Sequence, residues 1–137
     1  MRIVLDTNVL IAAFITRGVC ADVFEHCARK HTLITSRFIL REFREHLAGK
    51  FGFGAQDVKE AVELLRSTME VVTSARLSAP VCHDRDDDKV LGTAVAARAD
   101  CILTGDKDLL VIKRFRSVDI LRPAEFAGYE AAKAETP

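Results

Sequence analysis

The sequence predicts an α/β protein, a three-layer α/β/α sandwich around a central parallel sheet. Three observations predict it. Short apolar, β-branched runs alternate along the chain with longer stretches of helical periodicity, the pattern of parallel strands joined by helical crossovers. The chain shows no repeat, no low-complexity stretch and no Pro/Gly-rich linker. Its 137 residues are 49% hydrophobic and 29% charged, an ordinary composition for one compact domain. The expected division is a domain over residues 1–123 and a partly disordered tail over 124–137.

The elements follow in order. Arg2 to Leu5 (R-I-V-L) is a strand that ends in Asp6. A turn at Thr7-Asn8 leads into a helix from Val9 to Phe14. Gly18 to Lys30 carries Val19, Val23, Phe24 and Cys27 at helical spacing. Thr32 to Thr35 is a second strand. Ser36 is placed to cap a helix over Arg37 to Gly49, which ends at a glycine. Gly52 and Gly54 mark a loop, and Asp57 to Thr68 is helical through Val58, Val62 and Leu65. Met69 to Val72 is a third strand and Ser78-Ala79-Pro80 a loop. A helix runs from about Asp87 to Arg98, a fourth strand from Cys101 to Leu103, a short helix from Asp106 to Ile112 and a last strand from Val118 to Leu121. The small, polar residues from Gly128 onward are expected to fray.

Charge and cysteine usage bound the function. Lys plus Arg equals Asp plus Glu, 20 each, so the whole surface offers no electrostatic grip on nucleic acid. A nucleic-acid contact must come from a local patch or through metal ions. Cys20, Cys27, Cys82 and Cys101 form no C-x-x-C pair and read as reduced thiols of a cytoplasmic protein. His26, His31, His46 and His83 show no metal-ligand spacing with a cysteine. No apolar run approaches the roughly 20 residues of a membrane span, and Asp6 interrupts the first apolar run, so neither membrane insertion nor a secretory signal is expected. Phosphate-binding glycine patterns, G-x-x-x-x-G-K or G-x-G-x-x-G, are absent.

In parallel sheets ligands bind beyond the carboxyl ends of the strands. Asp6 follows the first strand and Asp106 the fourth, in Thr104-Gly105-Asp106. Either could simply cap the helix it precedes. Glu42 is more telling. On a wheel of about 100° per residue, with Ile39 at zero, Phe43 falls near 40°, Leu47 near 80° and Glu42 near −60°, inside the apolar arc. A carboxylate on that face needs a partner or a cation. Arg37, Arg41 and Arg44 lie on the opposite face and read as solvated. His83 to Asp88 reads H-D-R-D-D-D. If the next helix begins there, Asp87 projects into its buried arc and Asp88 stands at the edge. Acidic side chains from four segments would then meet at one edge of the sheet. Such like charges raise one another's pKa and demand a divalent cation. With oxygen donors only, Mg²⁺ or Mn²⁺ fits and Zn²⁺ does not.

Four stretches carry a resemblance to the PIN domain family. They are I-V-L-D-T-N-V-L (Ile3 to Leu10), S-R-F-I-L-R-E-F (Ser36 to Phe43), D-R-D-D-D-K-V-L-G-T-A (Asp84 to Ala94) and A-D-C-I-L-T-G-D-K-D-L-L (Ala99 to Leu110). The subgroup it resembles is that of toxins from bacterial toxin–antitoxin pairs, related to VapC. The resemblance implies a parallel-sheet α/β/α fold and endoribonuclease activity dependent on Mg²⁺ or Mn²⁺. It implies Asp6, Glu42, Asp87 and Asp106 as catalytic residues. The metal ligands would be Asp6, Asp106 and Asp87 or its neighbour Asp88. Asn8 and Thr104 match polar positions that support the site, and Asp84 and Asp108 match acidic positions of less defined role. It further implies an RNA substrate, a small antitoxin as partner and a homodimer. Two other functions are expected to compete with this one. A phosphohydrolase with Asp6 as nucleophile would need a second aspartate two residues on, where this chain has Asn8. A non-catalytic interaction module on the same fold would not need the full acidic set.

Overall fold

The structure is a computed structural model, and it describes residues 1–135. Six strands form one sheet: β1 (Arg2–Leu5), β2 (Thr32–Ser36), β3 (Glu70–Val72), β4 (Cys101–Leu103), β5 (Arg114–Phe115) and β6 (Val118–Leu121). Their order across the sheet is β3-β2-β1-β4-β6-β5. All neighbouring pairs are parallel except β5 with β6. That pair is an antiparallel hairpin whose turn at Arg116-Ser117 holds Arg116 at φ 55°. The expected all-parallel sheet therefore carries one short antiparallel edge strand, too brief at two residues to leave a hydrophobic pattern.

Among the described residues seven α-helices surround the sheet: α1 (Thr7–Ile15), α2 (Val19–Lys30), α3 (Arg37–Gly49), α4 (Ala55–Thr68), α5 (Arg85–Ala97), α6 (Lys107–Leu110) and α7 (Phe126–Glu135). Right-handed crossovers put α1 to α4 on one face, where α1 packs on α2 and α3, and α3 on α4. The return crossover places α5 on the other face, against β1, β2 and β3. The central strands read as continuous apolar runs because both faces are covered. Ile3, Val4 and Leu5 on β1 and Cys101, Ile102 and Leu103 on β4 are fully buried.

Three helices begin earlier than the sequence predicts, α4 at Ala55 in place of Asp57 among them. α1 starts at Thr7 because the Asp6 carboxylate caps it, accepting the Thr7 amide at 2.7 Å. α5 starts at Arg85 because Asp84 caps it, accepting the Asp86 amide at 2.9 Å. The larger correction is at the end of the chain. The tail expected to fray from Gly128 is helical through Glu135, while residues 136–137 lie outside the described residues. Phe126 anchors α7 by complete burial, and the Tyr129 hydroxyl donates to Asp119 on β6 at 2.8 Å. Among the described residues no single helix is long and apolar enough to cross a membrane.

Candidate metal centre

The strand order reverses direction at β1: the chain proceeds outward to β2 and β3, then returns to place β4 on the other side. Loops leaving β1 and β4 therefore diverge and open a crevice between them at their carboxyl ends. Asp6 leaves β1 there, and Thr104 and Asp106 leave β4. The ladder continues one step into the crevice, with the Asp6 amide donating to the Leu103 carbonyl at 3.0 Å.

A polar cleft of about 160 Å³ occupies this position, lined among others by Asp6, Asn8, Glu42, Asp84, Asp87 and Asp106. Asp6 is nearly buried at 7% exposure and Asp87 at 9%. The second Asp6 oxygen accepts the Thr104 hydroxyl at 2.7 Å, and Thr104 Oγ1 in turn accepts the Asp106 amide at 3.0 Å. Thr104 thus ties the two strand-end aspartates together. Asp106 caps α6 by accepting the Asp108 amide at 2.9 Å. The capping role and the site role coexist, because a cap occupies one carboxylate oxygen and leaves the other free. Asp87, Asp106 and Asp108 each present a carboxylate oxygen within 4.8 Å of the others.

The electrostatics match the crowding. Burial pushes the Asp87 carboxyl up to about 7, with added repulsion and a shared hydrogen bond from Asp106, and lesser repulsion from Asp84 and Asp6. Burial also raises Asp6 and repulsion by Asp106 adds to it, against the lowering effect of the Thr104 and Thr7 bonds. Glu42 is raised by burial first, and then by Asp86 and Asp6. A divalent cation would relieve all three. The donors are all oxygens, two of the carboxylates are nearly buried, and burial with repulsion from Asp106 disfavours the charged form of Asp87. That set fits Mg²⁺ or Mn²⁺.

The structure separates the residues singled out from sequence. Asp6, Glu42, Asp87 and Asp106 share the cleft, and Asp84 and Asn8 stand at its wall. Asp88 does not. Its carboxylate turns to the other side of α5 and accepts the amides of Val81 (3.3 Å) and Cys82 (2.7 Å), so the expectation of Asp88 as a metal ligand is corrected. Asp108 is exposed yet within reach of Asp87 and Asp106. Three wall residues escaped the sequence reading: Thr7, Asp86 and His46. Thr7 donates its hydroxyl to Glu42 at 2.8 Å. His46 lies four residues after Glu42 and so on its face of α3, a spacing visible in the sequence.

With the geometry in hand, comparison with known proteins is informative. Residues 2–108 match the PIN domain family. The chain belongs to the PIN domain family. Within the wider set of relatives, an uncharacterised protein of Methanocaldococcus jannaschii, MJ1680, is 29% identical over 118 residues, covering 82% of this chain and 76% of that one. VapBC2 from Rickettsia felis, solved bound to a DNA fragment from its promoter, superposes with a TM-score of 0.64 at 15% identity, over 88% of this chain and 97% of that one. VapBC-1 from nontypeable Haemophilus influenzae gives the same TM-score at 17% identity, over 90% and 99%. At these identities the two structures show a shared PIN fold.

Proposed function

We propose that this PIN domain is a metal-dependent endoribonuclease acting as the toxin of a toxin–antitoxin pair. The observation that carries the reading is the convergence of Asp6, Asp87 and Asp106, with Glu42, in the crevice between β1 and β4. Asp6, Asp87 and Asp106 would hold Mg²⁺ or Mn²⁺, which supplies an activated water and charge stabilisation at the scissile phosphate. Thr104 orients Asp6 and the Asp106 backbone, and Thr7 orients Glu42. Glu42, whose carboxyl burial raises, stands in the cleft within reach of the water that would attack, as the acceptor of its proton.

The local basic patch that a neutral chain requires lies across the first turn of α5 from the cleft. A groove of about 600 Å³ runs along the far side of the first turn of α5, with Arg37, Arg76, Arg85 and Lys89 at its walls beside Phe38. Lys89 lies 4.7 Å from the Phe38 ring centroid. Cations beside an aromatic face suit a single RNA strand, with phosphates on the cations and a base on the ring. The Asp6-nucleophile alternative gains nothing from the geometry, since Asn8 supplies no second carboxylate. The likeness to VapBC structures supports a small antitoxin as partner, and a homodimer and a cytoplasmic location belong to the same proposal.

The test is cleavage of total RNA by the purified protein with Mn²⁺, with Mg²⁺ and with excess chelator, fragment ends being mapped. Cleavage should require metal and vanish in chelator. Undiminished cleavage in chelator overturns the metal mechanism, and no cleavage under any condition leaves the fold without the activity and overturns the nuclease reading.

A further inference from the structure

Side chains that can ligate a metal also converge at the opposite edge of the sheet, where no carboxylate of the cleft reaches. His26 lies on α2, His31 caps the end of that helix before β2, and Glu130 lies on α7. They are 104 and 99 residues apart in sequence as His26–Glu130 and His31–Glu130, so no spacing rule brings them together. In the fold both imidazoles aim Nε2 at the same carboxylate oxygen: His26 at 2.8 Å and His31 in a short contact. One nitrogen of each ring and one Glu130 oxygen all lie within 4.8 Å.

The surroundings hold these donors in place. The Phe126 ring meets His26 edge-on at 6.4 Å and His31 at 5.7 Å, and the two imidazoles stand 5.9 Å apart. His31 Nδ1 accepts from the Met1 nitrogen at 3.0 Å, a polar partner that fixes the ring. The side chains are partly buried, at 38% exposure for His26, 13% for His31 and 29% for Glu130, which leaves an open side for a water ligand.

We propose that His26, His31 and Glu130 form a binding site for a divalent transition ion of the zinc class, which pins α7 to α2. Two imidazoles and one carboxylate with an open position are a donor set for Zn²⁺, Co²⁺ or Ni²⁺ and not for Mg²⁺. The ion enters where the two Nε2 atoms meet the carboxylate. It takes the place of the Nε2 protons: the His26 proton moves to Nδ1, and the His31 proton moves to Nδ1 as the Met1 ammonium releases one to solvent and becomes the acceptor of that bond. The site is independent of the nuclease reading, since none of its residues lines the cleft.

The experiment compares the parent with His26→Gln, Glu130→Gln and an Asp87→Asn/Asp106→Asn double variant. Each is titrated with Co²⁺ by visible absorption and with Zn²⁺ by equilibrium dialysis. The parent and the double aspartate variant should bind one equivalent of Zn²⁺ and show Co²⁺ bands that Zn²⁺ displaces. His26→Gln and Glu130→Gln should lose the bands and bind Zn²⁺ more weakly by at least the ~10–100-fold that loss of an outer partner alone would cause. Zn²⁺ should also raise the parent's melting temperature and slow proteolysis in α7, and do neither in His26→Gln. Should Glu130→Gln fail to fold, His26→Gln decides, because its ring is the more exposed and α7 keeps its Tyr129 and Phe126 anchors. Zn²⁺ binding lost in the aspartate variant but kept in the histidine variant overturns the proposal. So does the absence of stoichiometric Zn²⁺ at micromolar concentration: the three side chains are then a hydrogen-bonded cluster only.

Discussion

Asp87 and Asp88 are neighbours in sequence and serve opposite sides of α5. Asp87 faces the cleft, nearly buried among like charges; Asp88 gathers the Val81 and Cys82 amides and holds the preceding loop against the helix. The two residues should therefore fail differently. Asp87→Asn, Asp6→Asn and Asp106→Asn are each expected to cost at least ~10²-fold in RNA cleavage, the scale of losing a metal or its activated water. Asp88→Ala should leave cleavage within a few-fold of the parent and instead lower stability by about 1.5–3 kcal/mol, as for hydrogen bonds to a charged group. Asp108, exposed but within reach of the cluster, should cost less than Asp106 when changed to Asn. Initial rates and denaturant melts on the five variants check this, and equal rate losses at Asp88 and Asp87 would mean that the orientation of α5 is wrong.

Three helices carry a site residue at the N-terminal cap, and there the capping chemistry is also the site chemistry. Asp6, Asp84 and Asp106 cap α1, α5 and α6, and all three line the cleft. The orientation of α5 depends further on Gly92. A Cβ there would stand 2.2 Å from the Ala75 carbonyl oxygen and 2.4 Å from Ser74 Oγ. The segment after β3 lies directly on the helix, with the Ala75 amide donating to the Gly92 carbonyl at 3.0 Å and Ser74 Oγ to that of Lys89 at 2.8 Å. Gly92→Ala gains about 1 kcal/mol of helix propensity. The clash with backbone should outweigh that gain and leave a net loss of about 1–3 kcal/mol, read as a lower denaturant midpoint with unchanged slope. A stabilised variant would show that the close approach is not required. The legibility of the elements follows the same physics. Strand ends and the Glu42 face were readable because burial of apolar neighbours imposes a period on the sequence. The start of α5 was not, since four aspartates in five residues offer several equivalent caps, and only packing selects Asp84. Nor was α7: its Ala, Glu and Lys residues favour helix, but what secures it, Phe126 and Tyr129 against distant partners, has no local signature. His26, His31 and Glu130 escaped for the same reason.

At the scale of the whole molecule, a neutral chain holds a concentrated negative charge at one point, the switch between β1 and β4. Without metal that concentration opposes folding. Burial and Asp106 raise the folded-state pKa of Asp87 to about 7, whereas the unfolded chain holds it near 3.8. A raised pKa contributes stability that is fully present below the unfolded value and is lost as pH rises through the folded one. The metal-free protein should thus lose stability between about pH 4 and pH 7, and the raised Asp6 and Glu42 act in the same direction. Asp87→Asn removes the part of this loss that belongs to Asp87. In chelator at pH 3, where Asp87 is protonated in the folded and the unfolded parent alike, parent and variant should melt together. At pH 8 the variant should melt higher by a few degrees, at ~4 °C for each kcal/mol relieved in a chain of this size. Mn²⁺ should reverse the order at pH 8. The parent gains RT ln(1 + [L]/Kd), roughly 2.7 kcal/mol at a hundredfold excess over Kd, while the variant, lacking a ligand, gains little. Melting curves of both proteins at the two pH values, with chelator and with Mn²⁺, decide the matter. Zn²⁺ is left out of these melts, because the histidine site would stabilise both proteins alike. If the two curves move in parallel through all four conditions, the carboxylates are solvated caps, and the crevice between β1 and β4 holds no metal.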